Sequence, residues 1–270
     1  MTLVKKHIYF IGIGGISMSG LAEILNSRGY LVSGTDVKET DVTRRLQQLG
    51  ITVHFGHRAE NITDDISLVV YTAAIHEDNE EFKAAVDAGL PMLSRAELLG
   101  QLMKNYETPI AVSGTHGKTT TTSMLSHILL AGDLDPTISV GGILKAISGN
   151  IRVGDSGLFV TEACEYTNSF LHFFPKIGII LNIDADHLDF FKDLDDIRRS
   201  FRKFAELLPE DGALIINADI PDLDAFTEGL KCKVIRYGND SSLDYSATNI
   251  LHDNVGDASF DLVKSGIFMD

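Results

Sequence analysis

The chemically richest stretch of the chain is Ile110-Ala-Val-Ser-Gly114-Thr115-His116-Gly117-Lys118-Thr119-Thr120, an apolar run, a glycine-containing turn and a Lys-Thr pair opening a helix-forming segment. That order suits a phosphate. Glycines let backbone N–H groups face the anion, a helix N-terminus favours negative charge, Lys118 neutralises the distal phosphates of a nucleotide, and Thr119 can ligate Mg2+. The general pattern G-x-x-x-x-G-K-[ST] has a glycine where this chain has Val112, so the loop is of the Gly-Thr-x-Gly-Lys-Thr variety.

A phosphate loop of this kind also needs acids at the ends of neighbouring strands, to hold a metal or orient a nucleophile. Glu162 closes the apolar run Gly157-Leu-Phe-Val-Thr-Glu162, and Glu165 follows either in the same crevice or on a solvated loop. A further run, Ile177-Gly-Ile-Ile-Leu-Asn182-Ile183, leads into Asp184-Ala-Asp186-His187-Leu-Asp189. Thr119, Glu162 and His187 are therefore the candidate metal ligands. Asp193, Asp195 and Asp196 continue the acidic run and suit the start of a helix.

A second anion cradle opens the chain. Ile8-Tyr-Phe-Ile-Gly12-Ile-Gly14-Gly15-Ile-Ser17-Met-Ser-Gly20 is again apolar run, glycine turn and helix pattern, with Ser17 where a third glycine of G-x-G-x-x-G would stand. Tyr30-Leu-Val-Ser-Gly-Thr-Asp36 then ends in an acid 24 positions beyond Gly12, the place of a ribose-binding carboxylate. This predicts a ligand bearing a pyrophosphate, without choosing between a nicotinamide dinucleotide and a UDP-sugar. Val70-Tyr-Thr72-Ala73-Ala-Ile75 offers a third wall, where the small residues Thr72 and Ala73 permit close approach. His54 and His57 read as exposed loop histidines.

The elements that must position these residues follow from hydrophobic pattern. Short apolar runs at 7–13, 68–74, 109–113, 158–162, 177–183 and 213–217 read as buried parallel strands. Helix-period segments at 17–28, 79–88, 118–131 and 195–208 lie between several of them, and 95–103 is helical before the polar boundary at 104–109. The class is α/β with parallel sheets. The tail, 240–270, reads as an irregular hairpin region.

Whole-chain properties narrow the partners. The 270 residues are 44% hydrophobic, enough for about two domains. Lys plus Arg number 23 against 38 Asp plus Glu, a net charge of −15 that opposes tight binding to nucleic acid or anionic lipid. The start at 1–6 is unlike a secretory leader or a membrane span, so a cytoplasmic location is expected. Cys164 and Cys232 are too few for a disulfide framework and read as reduced thiols.

Taken together, Gly-Ile-Gly-Gly-Ile-Ser-Met-Ser-Gly at 12–20, Ser-Gly-Thr-His-Gly-Lys-Thr-Thr-Thr at 113–121, Glu162-Ala-Cys-Glu165 and Asn182-Ile-Asp-Ala-Asp-His187 resemble the Mur ligases of peptidoglycan synthesis. The resemblance spans nearly all of the chain and is strongest to members that join L-alanine to UDP-N-acetylmuramate. It implies a Rossmann-like UDP-sugar-binding domain over 1–107, followed by a P-loop-type α/β ATPase domain over 108–270 that stops early. A third domain, which helps bind ATP and the amino acid, is missing from the sequence, so the chain is expected to be a fragment with little activity of its own. Carried over by motif, Gly12, Gly14, Gly15, Ser17, Asp36, Thr72 and Ala73 would hold the sugar nucleotide. Gly114, Thr115, His116, Gly117, Lys118, Thr119, Thr120 and Asn182 would hold ATP with Mg2+, and Lys118, Glu162 and His187 would serve catalysis. The family often shows Asp-Glu-Ser-Asp where this chain has Cys164-Glu165-Tyr166-Thr167, which keeps only the second acid. Three other readings stand beside this one: a sister ligase adding a preformed peptide, a nicotinamide-dependent dehydrogenase built on the Gly12 turn, and a non-catalytic binding module.

Overall fold

A computed structural model describes residues 6–269. The chain start read above as unlike a leader lies outside the described residues, Lys6 excepted. The chain runs β1 (His7–Ile11), α1 (Ile16–Ser27), β2 (Leu31–Asp36), α2 (Asp41–Gln48), β3 (Thr52–Phe55), β4 (Ile66–Tyr71), α3 (Glu80–Asp87), β5 (Met92–Ser94) and α4 (Arg95–Met103). It continues with β6 (Thr108–Ser113), α5 (Lys118–Ala131), β7 (Thr137–Leu144), β8 (Gly149–Arg152), β9 (Leu158–Glu162), β10 (Ile177–Ile180), α6 (Leu194–Glu206), β11 (Ala213–Asn217) and α7 (Leu223–Thr227). The remaining strands are β12 (Lys233–Gly238), β13 (Tyr245–His252), β14 (Ala258–Lys264) and β15 (Ile267–Phe268). Two compact units result: 1–106 with 125–159, and 107–124 with 160–270.

The first unit is a parallel five-stranded sheet in the order β3-β2-β1-β4-β5. Strand order reverses direction between β1 and β4, which opens a crevice beyond their carboxyl ends. The apolar residues of β1 and β4 pack as one cluster, Tyr9, Ile11, Ile66, Val69 and Ala85, flanked by Tyr71, Phe82 and Met92. Helices begin where side chains can cap them: Thr40 and Thr43 form a capping box on α2, Asn79 accepts from two backbone N–H groups of α3, and Ser94 with Glu97 boxes α4. The antiparallel pair β7 and β8 belongs to this unit and packs on α1. A Cβ at Gly20 would sit 2.6 Å from the Ile151 side chain, so a glycine is what lets helix and strand approach.

The second unit lays out strands β15-β14-β13-β12-β11-β10-β6-β9 in that spatial order. Its centre is parallel, β6 pairing β10 and β10 pairing β11 in continuous register. The sheet is nonetheless mixed, because β13–β14 and β14–β15 pair antiparallel across tight turns. Within the tail, residues 245–268 thus form three successive antiparallel strands with one register shift. Beneath the sheet, Phe170 stacks on Phe204 at 4.9 Å and meets Phe201 edge-on at 5.4 Å, all three fully buried.

Strand limits are narrower than hydrophobicity alone implies. The 7–13 run ends at Ile11 because Gly12 turns out at φ +84°, the 177–183 run ends at Ile180, and 68–74 is shifted to Ile66–Tyr71. Strands β3, β5, β7, β8 and β12 are absent from the sequence reading. Cys164 and Cys232 are unbridged. Among the described residues no helix is long and apolar enough to cross a membrane.

Candidate functional site

In the second unit the three candidate segments emerge at the carboxyl ends of neighbouring strands: the glycine loop after β6, Glu162 at the end of β9 and Asn182 just beyond β10. The loop begins with Gly114 at φ +144°, where a Cβ would lie 2.9 Å from the Leu181 Cβ. It ends with Gly117 at φ +83°, whose carbonyl accepts the first bond of α5 from Thr121 N. Both positions therefore require glycine. Between them the backbone is stitched to the segment after β10. Asn182 accepts from His116 N at 2.8 Å and donates to His116 O at 3.1 Å, and Thr115 Oγ1 accepts from Asp184 N at 2.9 Å. Asn182 thus acts on the loop's backbone.

Lys118 folds back over this loop. Its Nζ donates to Gly114 O at 2.7 Å and Thr115 O at 3.1 Å, and pairs with Glu165 Oε2 at 3.0 Å. Glu165 is buried, so of the two roles open to it in sequence the crevice role is the one observed. Thr119 Oγ1 donates to Glu162 Oε2 at 2.9 Å, which puts a hydroxyl and a carboxylate side by side, while Thr120 is exposed. His187 holds a left-handed backbone at φ +51°, its ring 4.6 Å from that of Tyr166 and its Nε2 3.9 Å from Glu165 Oε1. Tyr166 donates to Asp189 Oδ2 at 2.8 Å, and this hydrogen bond to a carboxylate pushes its phenol above the ordinary range. Asp193 caps α6 by accepting from Asp196 N, with Asp195 and Asp196 in the first turn, as their acidic character implied.

In the first unit the glycine turn follows β1 beside the sheet's switch point. Gly12 N and Ile13 N both donate to Thr35 O, at 2.9 and 2.8 Å, and Gly14 N donates to Asp36 Oδ2 at 2.8 Å. Gly14 cannot gain a side chain: a Cβ would meet Asp36 Oδ2 at 2.6 Å. Across the crevice, Thr72 follows β4, and a Cβ on Gly12 would stand 3.1 Å from its methyl group. Ala73 and Gly15 are exposed at the rim, and Ser17 lies in the first turn of α1.

Two residues of this unit were misjudged or unseen. His54 lies on β3 and is exposed, but His57 is no bland surface histidine: its Nδ1 is 2.9 Å from Glu81 Oε2, and its side chain is only 19% exposed. Glu81 is wholly buried. Its place in the first turn of an acid-rich helix start reads as solvent-facing, and only Phe82, Ala85 and Val86 beside it hint at a packed face.

Among the described residues no group of three or more His, Cys, Asp or Glu could hold a metal ion alone. A hydroxyl and a single carboxylate suit a Mg2+ that shares its coordination with phosphates and water.

Residues 7–107 match the family model described as Mur ligase family, catalytic domain, and residues 112–269 match the Mur ligase middle domain. The chain is 61% identical over 260 residues to UDP-N-acetylmuramate--L-alanine ligase of Agathobacter rectalis, covering 96% of this chain and 57% of that protein. It is 59% identical to the same-named protein of Lachnospira eligens, with 96% and 57% covered. The chain therefore spans somewhat more than half the length of these curated relatives. Among solved structures it is similar to UDP-N-acetylmuramate:L-alanyl-gamma-D-glutamyl-meso-diaminopimelate ligase from Neisseria meningitides, with TM-score 0.86, 29% identity and coverage of 98% of this chain and 86% of that one. It is also similar to UDP-N-acetylmuramate-alanine ligase from Thermotoga maritima, with TM-score 0.79, 30% identity and coverage of 97% and 59%. Two family models that between them run from residue 7 to residue 269, matched by a glycine loop at the carboxyl end of a parallel strand in each unit, mean that the chain belongs to the Mur ligase family.

Proposed function

We propose that this chain is the sugar-nucleotide-binding and ATP-binding part of a ligase that joins L-alanine to the lactyl carboxylate of UDP-N-acetylmuramate. The single observation that carries the reading is the loop at 114–119, where Lys118 bridges two loop carbonyls and Glu165 while Thr119 touches Glu162. The 61% identity to a named L-alanine ligase supports the choice of substrates. Residues 1–107 would bind the UDP-sugar through Gly12, Gly14, Gly15 and Ser17, with Asp36, Thr72 and Ala73 around them. Residues 108–270 would bind ATP. The site of the amino acid would belong largely to the part of the relatives that this chain does not span.

A carboxylate acylates poorly until its oxygen becomes part of a phosphate. In the proposed reaction the lactyl carboxylate oxygen attacks the γ-phosphorus and the bond to ADP breaks. The amine of L-alanine then attacks the acyl phosphate carbon, inorganic phosphate leaves and the amine loses its proton. Lys118 would neutralise charge on the transferring phosphoryl group, and this electrostatic term dominates catalysis of this kind. Thr119, Glu162 and His187 would hold Mg2+, and that ion when bound would offset the charge of the phosphates. Both nucleotide substrates belong to the cytoplasm, which is the proposed location.

Calorimetric titration of the chain tests the reading. Wild type should bind UDP-N-acetylmuramate and a non-hydrolysable ATP analogue independently. Lys118→Ala should lose roughly a hundredfold in affinity for the analogue and keep sugar-nucleotide binding. Retained analogue affinity would remove the phosphate-loop assignment.

A sister activity, transfer of a preformed peptide to the same sugar, has one observation in its favour: the fit to the Neisseria ligase. Identity of 61% against 29% favours L-alanine. Competition between L-alanine and the tripeptide in an assay of the full-length ligase separates the two.

A further inference from the structure

Under the glycine turn of the first unit lies a buried carboxylate with no role in the chemistry proposed above. Glu81 enters from the first turn of α3 and is 0% exposed. Its Oε1 accepts from Tyr9 Oη at 2.9 Å and Asn61 Nδ2 at 2.7 Å, with Arg58 N at 3.4 Å. Its Oε2 accepts from Thr35 Oγ1 at 2.6 Å and lies 2.9 Å from His57 Nδ1. Burial, aided by the charge of Glu81, pushes the Tyr9 phenol well above its ordinary range, which keeps it a donor.

Burying a carboxylate costs several kcal/mol in desolvation, and an apolar side chain of similar size would fill the same space without that cost. What the carboxylate does instead is join three other pieces of chain to its own helix. Tyr9 is on β1, Thr35 on β2, and His57, Arg58 and Asn61 lie on the segment after β3. The glycine turn and the 56–61 segment both hang from these partners. Thr35 O receives Gly12 N and Ile13 N, and the next residue, Asp36, receives Gly14 N through its side chain and Gly56 N through its carbonyl. Asn61 also donates to Gly56 O.

We propose that Glu81 is a positioning residue that presets the glycine turn and the 56–61 segment for a nucleoside diphosphate sugar. The inference rests on reading the Gly12 turn as the sugar-nucleotide site. A cradle already held in its binding shape spares the ligand the cost of ordering it. Glu81→Gln puts an amide donor among groups that all donate, so Thr35 and the 56–61 segment lose their common anchor.

Calorimetry on the whole chain, paired with amide hydrogen exchange, provides the test. Glu81→Gln and Thr35→Val should each bind UDP-N-acetylmuramate about tenfold more weakly and speed exchange at Gly12 and Ile13. The ATP analogue should bind as in wild type, and Thr35→Ser, which restores the hydroxyl, should recover sugar-nucleotide affinity. If Glu81→Gln does not fold, the Thr35 pair decides the matter. A folded variant with wild-type sugar-nucleotide affinity overturns the proposal, and so does parallel loss of both ligands, which would mean that Glu81 serves stability alone. Failure of wild type itself to bind the sugar nucleotide would instead bring down the reading of the turn.

Discussion

Lys118 Nζ has three protons and four acceptor atoms within reach: two loop carbonyls and both oxygens of Glu165. A nucleotide must displace these partners before it can use the lysine, so Glu165 competes with the phosphates for the same cation. Glu165→Gln weakens that competition without changing shape, and magnesium-free ADP should then bind roughly three- to tenfold more tightly. Titration calorimetry reads this directly, and unchanged affinity would mean that the carboxylate does not compete. At this scale the sequence is informative about Gly114, Gly117, Lys118 and Glu162, because a phosphate loop needs those residue types at that spacing. It leaves Glu165 open between crevice and solvated loop and is silent on Glu81, because both roles depend on burial. One carboxylate is placed by a bend at Tyr166–His172 that holds Thr167 and Asn168 in left-handed backbone, and the other by the packing of α3.

At the scale of elements, helix starts are set by side chains. Asp193 is the cap of α6, the 13-residue helix that supplies Phe201 and Phe204 to the core. Asp193→Ala should cost about 1 kcal/mol of stability, seen as a lower denaturant midpoint with an unchanged slope. The sequence revealed the strands around which each unit is built, because β1, β4, β6, β9, β10 and β11 are buried enough on both faces to read as uninterrupted apolar runs. It hid β3, where only Val53 is buried, and β5, which is three residues long and runs directly into α4. Strands β7 and β8 were hidden for a third reason: their pairing spans a bulge and a 3-10 turn at Lys145–Ile147, so neither shows a clean period.

At the scale of the whole molecule the dominant property is charge, −15 from 38 acids and 23 bases. Asp65, Asp135, Asp196, Asp211 and Asp240 all titrate below the ordinary aspartate range. Hydrogen bonds are the largest cause at each: a backbone N–H at Asp135, Asp196 and Asp240, Thr63 at Asp65 and Lys176 at Asp211. Carboxyls lowered by folding add stability above their unfolded pKa and surrender it as pH falls through the folded one. The melting temperature should therefore drop as pH is taken below about 4, a trend that calorimetric scans from pH 6 to pH 3 would reveal. Lys118 adds a kinetic corollary to this surplus of acid. Its charge is already cancelled by a neighbour, so an arriving triphosphate meets long-range repulsion with no beacon to counter it. Added salt should quicken nucleotide capture by shielding that repulsion, the reverse of what steered association does, and stopped-flow rates measured over a range of ionic strengths would expose it.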